Sequence, residues 1–228
     1  MTTDHSLEKL IAGEKAVEFI KDGMLLGLGT GSTVFYTIKK IGELVREGMS
    51  LSAVSTSTAT SQLAASLGIE ILPFNEITRT DLTIDGADEV DPDLNGIKGG
   101  GGALLYEKLV AEVSDKIIWV VDSDKQVTKL GKFPLPVEVV QYGLNHILRQ
   151  FTERDYKPVL RIKEGKPFVT DAGNFIVDLN LKVIHNPEEL NREIKLLTGV
   201  VETGLFLNLA DKVIIGRGNK TEIISRDF

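Results

Sequence analysis

The chain has 228 residues, 42% of them hydrophobic, enough for one large domain or for one medium domain carrying a smaller one. Its 33 acidic against 26 basic side chains leave a net charge of -7, without the basic footprint that a duplex nucleic-acid binder needs, so nucleic acid is not an expected partner. The absence of cysteine excludes disulfides, thiolate nucleophiles and cysteine-ligated metals.

Met1-Thr2-Thr3-Asp4-His5 lacks a basic region leading into an apolar run, and nowhere do about eighteen apolar residues run uninterrupted. A soluble cytoplasmic protein with no membrane association is expected. Leu7, Leu10, Ile11, Val17 and Ile20 recur at helical spacing, and Asp22-Gly23 ends that segment before the apolar run Met24 to Leu28. A helix through Val34, Phe35, Ile38, Ile41 and Val45 follows, then a strand Leu51 to Val54, a helix Thr58 to Leu67 and a strand Ile69 to Leu72. Strands at Leu82 to Ile84 and Ile117 to Val121 flank a helix Ala103 to Val113. Alternation of this kind predicts a parallel sheet covered by helices, an α/β Rossmann-like domain.

After Phe133-Pro134-Leu135-Pro136 the pattern changes. Strand Val137 to Val140, helix Leu144 to Phe151, strands Val159 to Ile162 and Phe175 to Leu181, helix Glu188 to Leu197 and strand Val200 to Glu202 spell βαββαβ, the order of a ferredoxin-like α+β unit. The apolar strand Lys212 to Ile215 is expected to return to the first sheet. The anticipated organisation is an α/β domain of residues 1–131 and 205–228 with a ferredoxin-like domain inserted at 132–204.

Gly27-Leu28-Gly29-Thr30-Gly31-Ser32-Thr33 joins a strand to a helix, where backbone N–H groups can cradle an anion. It lacks the lysine of a nucleotide-triphosphate loop, and the second strand runs into Ser55-Thr56-Ser57-Thr58 rather than the acidic residue that holds an adenosine ribose. A small phosphorylated ligand suits these hydroxyls, although turn and N-cap chemistry uses the same residue types. Asp85-Gly86-Ala87-Asp88-Glu89-Val90-Asp91 crowds four acids into seven positions. A solvated turn and a divalent-metal loop both remain open there, but calcium-loop spacing is absent and His5, His146 and His185 are scattered.

Lys98 then opens a run of four glycines, Gly99 to Gly102, that leads straight into a helix carrying Glu107. Such a run is entropically costly and is explained if bare amides must approach a developing negative charge. A carboxylate base beside a lysine and free amides is the equipment for moving a proton between carbons next to a carbonyl, with Asp85 and Asp88 to handle hydroxyl protons.

The segments Gly29-Thr30-Gly31-Ser32-Thr33, Asp85-Gly86-Ala87-Asp88-Glu89 and Lys98-Gly99-Gly100-Gly101 with Glu107 together resemble the signatures of the ribose-5-phosphate isomerase A family. The resemblance covers essentially the whole chain. It implies interconversion of ribose 5-phosphate and ribulose 5-phosphate without metal or organic cofactor, by a homodimer or homotetramer. Glu107 would be the base, with Asp85, Asp88 and Lys98 completing the catalytic set. Thr30, Gly31, Ser32, Thr33, Gly86, Ala87, Gly99, Gly100 and Gly101 would contact substrate, as would Lys125 and, from the first helix, Lys9. Two positions depart from the family's pattern: Asp91, where many relatives carry an uncharged residue, and Tyr106, where a basic one is more usual. The alternatives are an amino-sugar-phosphate isomerase/deaminase and a non-catalytic sugar-phosphate sensor. The latter lacks here the DNA-binding helix pair expected of a regulator.

Overall fold

The computed structural model describes residues 5–226; Met1 to Asp4, read above for targeting, lie outside them. In chain order the elements are α1 (Ser6–Val17), β1 (Leu25–Leu28), α2 (Val34–Arg46), β2 (Ser52–Ser55), α3 (Thr58–Ser66), β3 (Glu70–Ile71), β4 (Leu82–Gly86), β5 (Glu89–Val90), β6 (Gly96–Ile97), α4 (Leu104–Glu112) and β7 (Ile117–Asp122). There follow β8 (Leu135–Val139), α5 (Leu144–Glu153), β9 (Pro158–Leu160), β10 (Ile162–Lys163), β11 (Lys166–Pro167), β12 (Phe175–Leu179), α6 (Pro187–Lys195), β13 (Val200–Thr203), β14 (Leu205–Phe206), β15 (Lys212–Arg217) and β16 (Lys220–Ser225). Among the described residues, no helix is long and apolar enough to cross a membrane.

These elements form two compact units. The first takes the described residues up to Ala87, then Tyr106–Gln126 and the chain from Leu209. Its seven-stranded sheet has the order β16-β15-β7-β4-β1-β2-β3, parallel throughout except for the β15–β16 hairpin. Ile117-Ile118-Trp119-Val120-Val121-Asp122 is buried at every position, the pattern of a strand covered on both faces. On α2 the buried residues Val34, Ile38 and Ile41 form one stripe, and they join Leu26, Leu28, Ile84, Val120 and Ile214 in one core. From β1 the chain builds outward through β2 and β3, then returns to place β4 on the other side of β1. The strand order therefore reverses between β1 and β4, so the crevice beyond their carboxyl ends is where an open α/β sheet binds its ligand.

The second unit comprises Asp88–Leu105 and Val127–Asn208. Its four-stranded antiparallel sheet runs β13-β8-β12-β9, the strand order of a ferredoxin-like fold. Ile147 and Phe151 of α5 and Ile194 of α6 join Val137, Val139 and Val177 in its core. Helix α6 begins with Asn186 accepting the Glu189 N–H and Pro187 in the first turn, and it carries Arg192 and Lys195 in the last. The unit is wider than the stretch 132–204 because β5 and β6 pair with each other and β6 pairs with β14. Strands of two residues carry no readable period, and all three went unpredicted. So did β16 and the β10–β11 hairpin, while α1 ends at Val17, short of Ile20.

Candidate active site

In the first unit the reversal point is occupied by the predicted residues. Gly29 follows β1, and its N–H is donated to the Ile84 carbonyl of β4 at 2.9 Å. Asp85, the residue after Ile84, is 2% exposed, and its Oδ1 accepts the Thr30 N–H at 3.1 Å and the Gly86 N–H at 2.7 Å. A Cβ on Gly29 would run into that carboxyl, so glycine is required here by the close approach of Asp85. The Thr30 hydroxyl lies 2.8 Å from the Thr56 hydroxyl and donates to Ser57 Oγ at 2.8 Å, while Thr60 Oγ1 donates to the Gly29 carbonyl at 3.0 Å. Ser57 also caps α3 by accepting the Thr60 N–H. The serine and threonine run after β2 thus braces the glycine loop. Gly31 and Ser32 are exposed, and Thr33 is buried at the start of α2.

Glu107, 4% exposed, sits in the first turn of α4, where the helix dipole favours a carboxylate. Its neighbour Tyr106 is partly exposed and lines two clefts of ≈ 360 and ≈ 370 Å³ with Ser55, Pro73 and Phe74, the second also bordered by Ser57, Thr58 and Ser61. At the end of β7, Lys125 closes a short helical turn that Asp122 caps by accepting the Asp124 N–H. Lys9 of α1 points to the same turn, its Nζ 3.9 Å from Asp122 Oδ2.

The helix α1 is anchored there by Glu8, whose carboxylate accepts the Ser123 N–H and hydroxyl at 3.0 and 2.8 Å and the Gly218 N–H at 2.7 Å. Burial pushes the Glu8 carboxyl up, but the bonds from Gly218 and Ser123, with His5 beside them, outweigh it and bring the pKa down to about 2. His5, Glu8 and Asp122 present ligand atoms within 4.8 Å of one another. With Glu8 already taken by these donors and His5 Nε2 2.9 Å from Asp124, the trio is accounted for as a joint between elements.

In the second unit Lys98 is 2% exposed, its Nζ 5.3 Å from the centre of the Phe206 ring and its backbone N–H on the Gly204 carbonyl. Gly99 has a φ of +98°, and a Cβ there would press on Leu104. The Gly100 N–H is donated to Asp88 Oδ2 at 2.7 Å, and a Cβ on Gly100 would come within 2.5 Å of Asp88 Oδ1. Gly100 and Gly101 are exposed.

The acidic segment is not a freely solvated turn. Each carboxylate meets backbone N–H groups: Asp85 those of Thr30 and Gly86, Asp88 that of Gly100, Glu89 those of Gly131 and Phe133 at 2.7 and 2.5 Å, and Asp91 those of Asp93 and Asn95. For Asp91 burial outweighs the bonds it accepts from Asn95 and Asp93 and pushes its carboxyl up. Sequence reasoning missed Arg161 and Asp178: Arg161 Nη1 donates to the carbonyls of Gly99 at 2.7 Å and Gly100 at 3.1 Å, while its Nε and Nη2 grip both Asp178 oxygens. A lone basic residue at the end of the apolar run Val159-Leu160 was the signal available.

A family model described as ribose 5-phosphate isomerase A (phosphoriboisomerase A) matches residues 52–220. The chain is 55% identical over 208 residues to the ribose-5-phosphate isomerase A of Streptococcus gordonii, covering 91% of this chain and 92% of that protein. It superposes on the solved structure of ribose 5-phosphate isomerase A from Methanocaldococcus jannaschii with a TM-score of 0.92 at 36% identity, over 98% of this chain and 100% of that one. It also superposes on a D-ribose-5-phosphate isomerase in complex with phospho-erythronic acid with a TM-score of 0.93 at 36% identity, over 99% and 100%.

Proposed function

Since the chain belongs to the ribose-5-phosphate isomerase A family, we propose that it interconverts D-ribose 5-phosphate and D-ribulose 5-phosphate through an enediolate, in the non-oxidative branch of the pentose phosphate pathway. The observation that carries the mechanism is Glu107, a buried carboxylate in the helical turn that directly follows the second glycine loop.

In the open-chain aldose, Glu107 takes the proton from C2, next to the C1 aldehyde, and the electron pair moves onto the carbonyl oxygen to give a 1,2-enediolate. The same carboxylic acid returns the proton to C1. Meanwhile the O2 hydroxyl loses its proton, O1 gains one, and the ketose forms with no change in the overall atom count. The charge on the enediolate oxygens is offset by the Lys98 ammonium and the amides of Gly99 and Gly101, while Gly100, its N–H held by Asp88, keeps the loop open to the substrate. Asp85 and Asp88 exchange hydroxyl protons and assist ring opening, and the backbone of Gly86 and Ala87 lies beside them in sequence. Thr30, Gly31, Ser32 and Thr33, with Lys125 and Lys9, bind the substrate. Every step uses side chains and amides of this chain, so no metal or organic cofactor is called for.

The test is proton NMR of the chelator-treated protein with ribose 5-phosphate in deuterated water. Appearance of ribulose 5-phosphate with deuterium on a sugar carbon supports the enediolate route. Conversion that stops on chelation would require a metal. Sugar that binds and is not converted would overturn the assignment.

A further inference from the structure

We infer that Arg161, gripped by Asp178, is a positioning residue that sets the direction of the amides in the second glycine loop. The inference rests on the isomerase reading above.

A trans peptide unit is planar, with its C=O and N–H pointing opposite ways. Arg161 Nη1 donates to the Gly99 carbonyl at 2.7 Å, and the N–H of that same peptide unit, carried by Gly100, is donated to Asp88 Oδ2 at 2.7 Å. The plane is therefore held from both sides. Nη1 also donates to the Gly100 carbonyl at 3.1 Å, which turns the Gly101 N–H away from Arg161, toward the side that Asp88 occupies. One nitrogen thus orients two consecutive peptides in a stretch whose glycines have no side chain to restrain them.

The other edge of the guanidinium is committed to Asp178: Nε donates to Oδ2 at 2.9 Å and Nη2 pairs with Oδ1. This bidentate pairing locks the plane of the fork and neutralises its charge, so what Arg161 contributes is geometry. Asp178 lies on β12, a central strand of the ferredoxin-like sheet, and Arg161 directly follows β9, which pairs with β12. The glycine loop is consequently referenced to a rigid sheet. A lysine has the charge of arginine without the planar fork and cannot hold Asp178 and two carbonyls together.

The experiment compares wild type, Arg161→Lys and Asp178→Asn in turnover of ribose 5-phosphate, in inhibition by phospho-erythronic acid, and in thermal midpoint. The acid carries two oxygens sharing one negative charge, as the enediolate does. Removing one preorganised donor to an oxyanion lowers turnover by ~10²–10³-fold, and loosening the Gly101 N–H without removing it is expected to lower kcat by about tenfold. KM should change less than about twofold, because the amides act on charge that develops in the transition state, and the inhibition constant should rise in step with the loss of kcat. Wild-type kcat in either folded variant overturns the inference, as does a fall in kcat that tracks the thermal midpoint with inhibitor binding unchanged. If Arg161→Lys does not fold, the near-isosteric Asp178→Asn decides. If wild type itself does not convert ribose 5-phosphate, the isomerase reading fails first and this inference falls with it.

Discussion

In the first glycine loop, Gly29 is required because Asp85 fills the space of a Cβ, and Asp85 in turn accepts the Thr30 N–H. In the second loop Asp88 stands against Gly100 and accepts its N–H in the same way. The two acids are three residues apart in the sequence, so one short segment at the end of β4 supplies the same brace to both loops. What differs is the rest of the scaffold. Around the first loop, hydroxyls of Thr56, Ser57 and Thr60 hold Thr30 and Gly29, whereas around the second a guanidinium holds two carbonyls. Hydroxyls can rotate to accept a new partner; a fork locked to a carboxylate cannot. On the function proposed above, the first loop would bind an anion already present in the substrate, and the second would meet one that forms only during reaction.

This division of labour can be broken by mutation. Glu107→Gln keeps the volume and removes the proposed base; kcat should fall at least ~10²-fold with KM and thermal midpoint near wild type, in steady-state kinetics and a melt. Near-wild-type turnover would remove the chemistry from α4. Gly29→Ala forces a methyl group against Asp85 and should lower stability by about 1–3 kcal/mol in denaturant titration, a loss an undisturbed loop would not show. Thr30→Val removes one hydroxyl from the first loop, and a several-fold rise in KM at nearly constant kcat is expected, equivalent to about 1 kcal/mol of uniform binding. If kcat falls instead, the loops are not divided as argued.

Glu8→Gln probes a brace that belongs to neither loop. The carboxyl is depressed to about 2 in the folded protein from an ordinary value of 4.5, so its stabilisation is complete above about 4.5 and is lost as pH falls toward 2. The stability gap between wild type and variant should therefore be widest near neutrality and close across that acid window. A gap independent of pH would mean that the hydrogen bonds do not need the charge.

Much of the first unit was legible because its signals are local. The run Ile117 to Val121 can only be a buried strand or helix core, and the turn signals on either side choose strand. The βαββαβ order was readable for the same reason. The two-residue strands β5, β6 and β14 were not, since two residues show no period and β14 pairs with a strand more than a hundred positions earlier, as in Ile97 with Leu205. Among the candidate residues, Lys98 and Glu107 stood out by their place beside glycines. Arg161 did not, because the carbonyls it holds are some sixty residues earlier in the chain and nothing near it in sequence marks the connection.

The path of the backbone also orders events during synthesis. The last residue of the second unit is Asn208, but the first unit still lacks β15, which lies between β7 and β16 and packs under α1. Until residues 212–225 leave the ribosome, β7 is an unpaired edge and one flank of α1 is bare, although that helix was made long before. The inserted unit can therefore fold while its host waits. A nascent chain arrested when Asn208 has just left the ribosome should carry a folded ferredoxin-like sheet and an open, protease-sensitive α/β half.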